Sequence, residues 1–176
     1  MNTVATYNVG EQLRDGRSIT VRAIRPDDKQ LLLRAFKGLE EGTIRSRFFG
    51  PRKEPTDQEL AWATEIDFVH NVALVASTRD GPGERIVGVG RYVSLESADN
   101  PLAAEVAFVV EEDFQGQGIA SILLRHLAAI ARRQGVSRFE ADVLPANLAM
   151  LSVFRRSGLP IEIKATDDSA HVTVVL

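Results

Sequence analysis

The spacing of hydrophobic and polar residues predicts several strands in the first part of the chain. Residues 18–24 alternate in polarity and contain several β-branched side chains, which is typical of a half-buried strand. Mainly apolar runs at 72–77, 85–93 and 103–110 have the length and composition of buried strands. No helical spacing interrupts these three runs, so we expect them to pair in antiparallel fashion.

Helical spacing is clearest over residues 117–134, where apolar residues recur at intervals of three and four and form one stripe. These residues are Ile119, Ile122, Leu123, Leu127 and Ile130. Gly135 follows where such a helix would end. The sequence therefore predicts one long amphipathic helix in this part of the chain.

Shorter helices are predicted at 28–39, at 41–48, from Thr56 onward and at 147–157. Two of them begin with residues spaced as capping boxes, in which a side chain and a backbone N–H bond each other reciprocally. The pairs are Asp27 with Gln30 and Thr56 with Glu59.

The order of these elements predicts a mixed α/β (α+β) fold. The strand–helix–strand unit over 103–144 implies two parallel strands, at 103–110 and 138–144, joined by a right-handed crossover. Residues 161–164 and 171–176 have the pattern of two closing strands.

Composition narrows the possible functions. The 176 residues fit a single domain over 1–176, with a polar start at 1–12 that we expect to be loosely held. The chain contains no Cys, which excludes disulfides, thiol nucleophiles, Cys-ligated zinc and iron–sulfur clusters. Its net charge of −3 argues against a protein whose main task is to bind nucleic acid, because that binding depends on neutralising phosphates.

The sequence also argues against a membrane partner. No stretch approaches the roughly 20 consecutive apolar residues that a membrane helix needs. Residues 1–16 lack the basic start and the apolar core of a secretory signal. We therefore expect a cytoplasmic protein.

The segment between the strand at 103–110 and the long helix carries the clearest chemical signal. Gly116 and Gly118 lie where the helix begins, and glycine allows the backbone to approach a ligand closely. The first N–H groups of a helix lack internal partners and carry the positive end of the helix dipole. This combination is typical of a phosphate or pyrophosphate site. The alternative is that the two glycines only permit a tight turn.

Known nucleotide motifs do not fit this segment. Its glycine spacing differs from the fingerprint of dinucleotide-binding proteins, and it lacks the Lys-Ser/Thr pair of nucleotide-triphosphate loops. Gln115, Gly118 and Ala120 do match the Gln/Arg-x-x-Gly-x-Gly/Ala signature of GNAT superfamily acetyltransferases, which the sequence therefore resembles. The context agrees, since a strand precedes the signature, a long helix and a strand follow it, and Asn147 begins a further helix.

The resemblance covers nearly the whole chain, from about Gly16 to the end. Segments 13–16, 21–28 and 47–51 are similar to the acetyltransferase domain of bacterial protein lysine acetyltransferases. The resemblance implies a mostly antiparallel sheet in which a central pair of parallel strands splays apart, with helices on both faces. The two parallel strands predicted above are the candidates for that pair.

The resemblance also implies that acetyl-CoA is the acetyl donor. In the family, the pyrophosphate lies on the amides of the signature loop, and the pantetheine arm pairs with the backbone of the preceding strand. The pyrophosphate positions are Gln115, Gly116, Gln117, Gly118 and Ala120, and the pantetheine positions are Phe108, Val109 and Val110. Asn147 lies where the family places a side chain that touches the pantetheine. Asn is also a common helix cap, and both roles can hold together.

Transfer of an acetyl group to a lysine requires a base, because the ammonium group has a pKa of about 10.4. Glu105 interrupts the otherwise apolar strand at 103–110, where we expect it to be partly buried with a raised pKa. The matching Glu serves as general base, often through water, in the lysine acetyltransferases that the chain resembles. The alternative is a strand-face Glu paired with Arg91.

The general acid stays unassigned. Many family members carry a Tyr in the helix that follows the Asn, but Phe154 stands at that position and cannot donate a proton. We therefore group Phe154 with the residues that contact the cofactor. Tyr7 and Tyr92 do not lie in the expected place.

The remaining polar candidates have less specific patterns. His70, His126 and His171 have no metal-ligand partner at short spacing, so we interpret them as structural or surface residues and expect no metal. Glu140 and Asp142 lie on one face of a predicted strand, where they either attract a cationic lysine or form a solvated surface.

These observations predict an acetyl-CoA-dependent N-acetyltransferase that acts on lysine side chains of proteins by direct attack, with Glu105 as general base. One alternative is a small-molecule amine N-acetyltransferase, because the fold fixes the donor site and not the acceptor. The other is a non-catalytic acyl-CoA-sensing domain, which the absent Tyr favours and Glu105 argues against. The chain is expected to be a monomer or a homodimer.

Overall fold

The computed structural model of the protein describes residues 3–50, 52–79, 81–95 and 102–176. Met1 and Asn2 of the polar start and Pro51 of the segment 47–51 lie outside these ranges. Within them the chain forms a mixed α/β fold around one sheet. Its strands are β1 (Asn8–Gln12), β2 (Ser18–Ala23), β3 (Asn71–Thr78), β4 (Arg85–Ser94), β5 (Ala103–Val110), β6 (Arg138–Val143), β7 (Ile161–Ala165) and β8 (Ala170–Val175).

The eight strands are ordered β1-β2-β3-β4-β5-β6-β8-β7 across the sheet. Neighbouring strands pair in antiparallel fashion except for β5 and β6, which are parallel. Pairing between these two covers only 103–105 of β5 and 138–140 of β6, although both strands continue further. The predicted splay is therefore present, and it opens after Glu105.

Five α-helices connect the strands in the described ranges. They are α1 (Lys29–Lys37), α2 (Glu41–Phe48), α3 (Asp57–Thr64), α4 (Ile119–Arg133) and α5 (Leu148–Arg155). Each corresponds to a predicted helix: α2 has the predicted bounds, and the others differ from the prediction by one or two residues at the ends. None of these helices is both long enough and apolar enough to cross a membrane.

The capping box predicted for α3 is confirmed, and the one predicted for α1 is wrong. Thr56 Oγ1 accepts a hydrogen bond from the Glu59 N–H at 3.2 Å, and the Glu59 carboxylate accepts one from the Thr56 N–H at 2.8 Å. At α1, a short 3-10 turn precedes the helix, and Asp28 occupies the cap position without a side-chain cap bond. Its carboxylate instead accepts two hydrogen bonds at 2.8 Å from the buried guanidinium of Arg22. A buried cation requires an anion more strongly than a helix end requires a cap.

The helices cover both faces of the sheet, as predicted. Leu74 and Ala76 of β3 belong to the core that includes α4, whereas Ala73 and Val75 point to the opposite face, against α1. Two glycines of β4 allow α4 to lie close to the sheet. A Cβ on Gly88 would lie 2.7 Å from Ile119 Cγ2, so no larger residue fits there without displacing the start of α4.

The loosely held start predicted from the polarity of residues 1–12 is wrong for residues 8–12. These residues form β1, which pairs with β2 along the sheet edge. The imidazole of His126 in α4 hydrogen-bonds both the Tyr7 hydroxyl and the Glu11 carboxylate. Arg125 adds an ion pair to Glu11 at 2.9 Å. The start of the chain is thus attached to α4 by side chains, and His126 is structural, as predicted.

Candidate active site

A large cleft opens where β5 and β6 separate. Its volume is about 1120 Å³, and its walls come from β5, β6, α2, α5 and the loop before α4. The second half of β5 does not pair with β6, so the backbone of that half lies along the cleft. Phe108, Val109 and Val110, the predicted pantetheine positions, all line it.

The signature loop enters α4 with two residues in the left-handed region. Gly116 has φ +77° and Gly118 has φ +95°, a conformation that side chains other than glycine rarely adopt. A Cβ on Gly116 would meet no atom within 4 Å, so the space beside it is open. The tight turn requires both glycines, as the alternative in the sequence analysis predicts. It also leaves room for a ligand.

The backbone N–H groups of this loop are mostly unoccupied. Those of Gly116, Gln117, Gly118 and Ala120 donate to no backbone oxygen in the described part of the chain. Gln115 differs from the expectation, because its N–H donates to the Glu112 carbonyl at 3.1 Å in a short 3-10 turn. Four open amides at the positive end of a 15-residue helix have the arrangement that anions favour.

The side chain of Gln115 attaches the loop to the end of β5 and to α2. Its Nε2 donates to the Val110 carbonyl at 3.0 Å and to Thr43 Oγ1 at 3.1 Å. The loop is also attached to the start of α2, because the Glu112 carboxylate accepts a hydrogen bond from the Glu40 N–H at 2.8 Å. These contacts hold α2 beside the end of β5.

Arg14 is a residue at the site that the sequence interpretation missed. Its backbone N–H donates to the Gln117 carbonyl at 3.3 Å, and its guanidinium donates to the Gly116 carbonyl at 3.2 Å. The side chain also lines the cleft, so it both holds the loop and brings positive charge to it. Only the resemblance of segment 13–16 to the family could have drawn attention to this residue.

Asn147 and Phe154 lie on the α5 side of the cleft. The Asn147 side chain accepts a hydrogen bond from the Met150 N–H at 3.1 Å, so its capping role is confirmed, and it lines the cleft as well. Phe154 is buried, with its ring 6.3 Å from that of Phe108. The hydroxyls of Tyr7 and Tyr92 bond His126 and Gln134.

Glu105 lies at the point where the parallel pairing ends, and it lines the cleft. The expected partial burial is wrong, because the residue is exposed. The alternative pairing with Arg91 is also wrong. The Arg91 guanidinium donates to the Ala63 carbonyl and to Asn71 Oδ1, and it lies 4.8 Å from the centre of the Trp62 ring. Within the described residues, Glu105 forms no hydrogen bond or ion pair.

Acidic residues continue from Glu105 across the same face of the sheet. Glu140 is its direct register partner on β6, and Asp142 follows two residues later. His171 of β8 lies between them, with ring nitrogens 2.7 Å from Glu140 and 2.8 Å from Asp142. Hydrogen bonding, first to Asp142 and then to Glu140, raises the pKa of His171. In the described ranges, these and other acidic and histidine side chains form no group that could hold a metal ion.

Comparison with known proteins identifies the class to which this fold and cleft belong. The model of the acetyltransferase (GNAT) family matches residues 41–159. The chain therefore belongs to the GNAT family, and it is an N-acetyltransferase.

Two relatives are similar over most of the chain. Acetyltransferase PA5475 of Pseudomonas aeruginosa is 30% identical over 162 residues, which cover 92% of this chain and 85% of the relative. Acetyltransferase Pat of Mycolicibacterium smegmatis is 34% identical over 148 residues, or 84% of this chain. The match spans only 43% of that longer relative.

Solved structures agree with this assignment. The GNAT domain of S. lividans PAT has a TM-score of 0.86 and 33% identity, with 96% of this chain and 97% of that chain covered. The putative acetyltransferase yncA from Salmonella typhimurium, solved with its cofactor acetyl-CoA, has a TM-score of 0.69 at 20% identity. Coverage is 90% of this chain and 92% of that one, and the likeness concerns the fold alone.

Proposed function

We propose that residues 1–176 act as one domain that transfers the acetyl group of acetyl-CoA to lysine side chains of proteins. The observation that carries the proposal is the row of open loop amides at the start of α4, beside the cleft where β5 and β6 separate. The names of the relatives, Pat and PAT, favour this acetyltransferase subclass.

The donor would bind along the loop and β5. The diphosphate of acetyl-CoA accepts hydrogen bonds from the amides of Gly116, Gln117, Gly118 and Ala120, with Arg14 nearby as a positive charge. The pantetheine amides pair with the backbone of 108–110, which β6 leaves open. Asn147 and Phe154 contact the same arm from the α5 side.

Glu105 would then act as general base. It takes a proton from the lysine ammonium, directly or through one water, and the neutral Nζ attacks the thioester carbonyl carbon. A C–N bond forms, the C–S bond breaks, and the second proton of the attacking nitrogen passes, directly or through water, to the leaving CoA thiolate. Phe154 supplies no proton, so this mechanism uses no protein acid.

The charges around Glu105 suit a cationic acceptor. Glu105, Glu140 and Asp142 lie on one face of the sheet, and negative charge of this kind attracts an ammonium group toward the thioester. Arg138, by its ion pair with Glu140, and His171, by its contacts with Glu140 and Asp142, offset part of this charge.

Glu105→Gln tests the base. We expect kcat for a lysine acceptor to fall by about 10²–10⁴-fold while acetyl-CoA affinity is kept, because Gln cannot accept the proton. The deficit should shrink as the pH rises toward about 10.4, where the lysine is increasingly neutral without help. Mass spectrometry of acetylated acceptor proteins gives the rates, and calorimetry gives the affinity.

Glu162→Gln is the matched control, because Glu162 is exposed on β7 and does not line the cleft. Unchanged turnover in Glu105→Gln would refute the base assignment. Binding of acetyl-CoA without turnover of any amine by the unmodified protein would instead identify a sensor. Turnover of small amines but of no protein would overturn the lysine acceptor.

A further inference from the structure

A second cavity lies behind α2, on the face of the sheet that α1 and α3 cover. Its volume is about 350 Å³. Arg47, Phe48, Ala107 and Val109 line both this cavity and the cleft, so the two spaces meet at α2 and β5. The rest of the lining is mainly apolar and includes Trp62, whose side chain is 62% exposed.

Glu105 lies on the same face of the sheet as this cavity. Side chains two residues apart on a strand share a face, so Glu105, Ala107 and Val109 point in the same direction. On β4, Arg91 is the direct register partner of Ala107, and Val93 is that of Glu105. Arg91 and Glu105 are thus diagonal neighbours, with Cα atoms about 7–8 Å apart in such a pair.

Two arginines in the cavity lack an acidic partner. Arg91 is 8% exposed and donates to neutral oxygen atoms. Burial, and to a smaller extent the charge of Arg47, lower the pKa of Arg91 to about 10. Arg47 forms no hydrogen bond or ion pair with any residue that the structure describes. Burial also lowers the pKa of Arg47, and the negative charge of Glu105 opposes that shift.

The other charged side chains of the cavity are already paired. Arg52 pairs with Glu59, and Glu111 pairs with Arg85. The unmatched charge of this cavity therefore belongs to Arg47 and Arg91. Burial without a counter-ion is unfavourable for Arg91, whereas Arg47 is only half-buried. A guanidinium binds a carboxylate with two parallel hydrogen bonds.

We infer that Arg47 and Arg91 bind a carboxylate of the acceptor, carried by an Asp or Glu two residues before or after the target lysine. The inference rests on the proposed function, because it requires the lysine to reach Glu105. In an extended peptide, side chains two residues apart share a face and are separated by about 6.6 Å. That spacing matches the diagonal of about 7–8 Å between Glu105 and Arg91.

Matched peptides test this without altering the protein. The two peptides of a pair each contain one lysine and differ only in carrying Glu or Gln at one position. That position lies two residues before the lysine in one pair, two residues after it in another, and directly beside it in a third. We expect kcat/KM for Glu over Gln to be roughly tenfold or more, mainly through KM, at the position two residues away on one side. The adjacent position should show little preference, because its side chain points away from the cavity.

Substitutions in the protein identify the residues that cause the preference for Glu over Gln. Arg47→Gln and Arg91→Gln should each reduce the Glu/Gln ratio toward one, and Arg47→Gln retains the backbone contacts of Arg91 if the second variant folds poorly. Arg45→Gln is the matched control, since Arg45 is an exposed residue of the same helix and lines neither cavity. It should keep the ratio. A ratio that survives in Arg47→Gln and in folded Arg91→Gln would overturn the inference.

Tryptophan fluorescence separates this inference from the proposed function. Trp62 is the only tryptophan of the chain and lines the cavity, so its emission should respond to the Glu peptide at lower concentration than to the Gln peptide. Equal acetylation of both peptides would overturn the inference and leave lysine acetylation intact. If no peptide is acetylated, the proposed function fails, and equal fluorescence titrations would then overturn the inference as well.

Discussion

Helices α3 and α4 begin in opposite ways. At α3, Thr56 and Glu59 bond each other's backbone N–H groups, so the helix start is satisfied within the protein. At α4, Gly118 occupies the cap position in a left-handed conformation, with no side-chain cap, and the nearby amides stay open. A glycine cap is less stable than a Ser, Thr, Asn or Asp cap by only about a few tenths of a kcal/mol, so the protein tolerates an open start beside a large cleft, and these amides stay available to a ligand.

Helix α1 represents a third case, in which the cap residue, Asp28, pairs with a buried cation instead of capping the helix. Asp28→Ala should lower the free energy of unfolding by about 3–5 kcal/mol, because it leaves the buried guanidinium of Arg22 without its main partner. Glu84 would remain as a second partner. Denaturant unfolding followed by circular dichroism measures the loss.

Asp27→Ala is the control, since Asp27 is exposed and adjacent. It should change stability by no more than about 0.5 kcal/mol. An equal loss of stability from both substitutions would mean that these residues stabilise the protein through the helix start and not through the ion pair with Arg22.

A negative charge introduced at the open start of α4 should have the next largest effect, here on the affinity for acetyl-CoA. Gly116→Asp and Gly116→Asn have the same shape, and both residue types tolerate the left-handed region better than most. We expect acetyl-CoA to bind roughly tenfold more weakly to the Asp variant than to the Asn variant, because the carboxylate repels the diphosphate.

Calorimetry at low and high salt checks this comparison. The difference between the two variants should shrink with salt, since screening weakens repulsion between exposed charges. Equal affinities at low salt would argue that the diphosphate lies elsewhere.

The closed start of α3 should behave in the converse manner. Thr56→Ala removes the cap acceptor and should lower stability by about 1 kcal/mol. Acetyl-CoA affinity should not change, because Thr56 lies outside the cleft. Thermal unfolding and calorimetry on the same sample test both expectations, and a weaker affinity would contradict the separation of the two helix starts.

The smallest effect concerns the pH dependence of the α3 cap. The hydrogen bond from the Thr56 backbone N–H holds the pKa of Glu59 below its usual value. A lowered pKa in the folded state means that the carboxylate stabilises the fold above its ordinary pKa and that this contribution is lost as the pH falls through the lowered value. The Tm difference between Glu59→Gln and the unmodified protein should therefore be present at neutral pH and vanish in acid. Persistence in acid would show that charge is not the cause.

The sequence predicts the central part of the fold because its signals there are local. The apolar stripe of α4 and the run at 103–110 specify a helix and a strand without help from distant residues. The parallel pair follows from their order, and the splay follows from the family resemblance. The strand β1 was missed because it is polar, and its stability comes from β2 and from His126.

The candidate site was less accessible from the sequence, because its properties depend on contacts between distant segments. The contact of Arg14 with the signature loop joins residues about 100 positions apart. The exposure of Glu105 depends on what covers the strand face, which no local pattern reveals. The same holds for Arg47 and Arg91, which the fold brings to one cavity from a helix and a strand.

The contact between Gly88 and Ile119 connects the interior of the protein to the loop at the start of α4. Ile119 is the first residue of α4, directly after the loop glycines, and only the missing side chain of Gly88 allows it to lie so deep. The absence of a Cβ on Gly88 thus sets how close the loop lies to the sheet. A larger residue at position 88 would accordingly shift the loop without altering any residue of the loop itself.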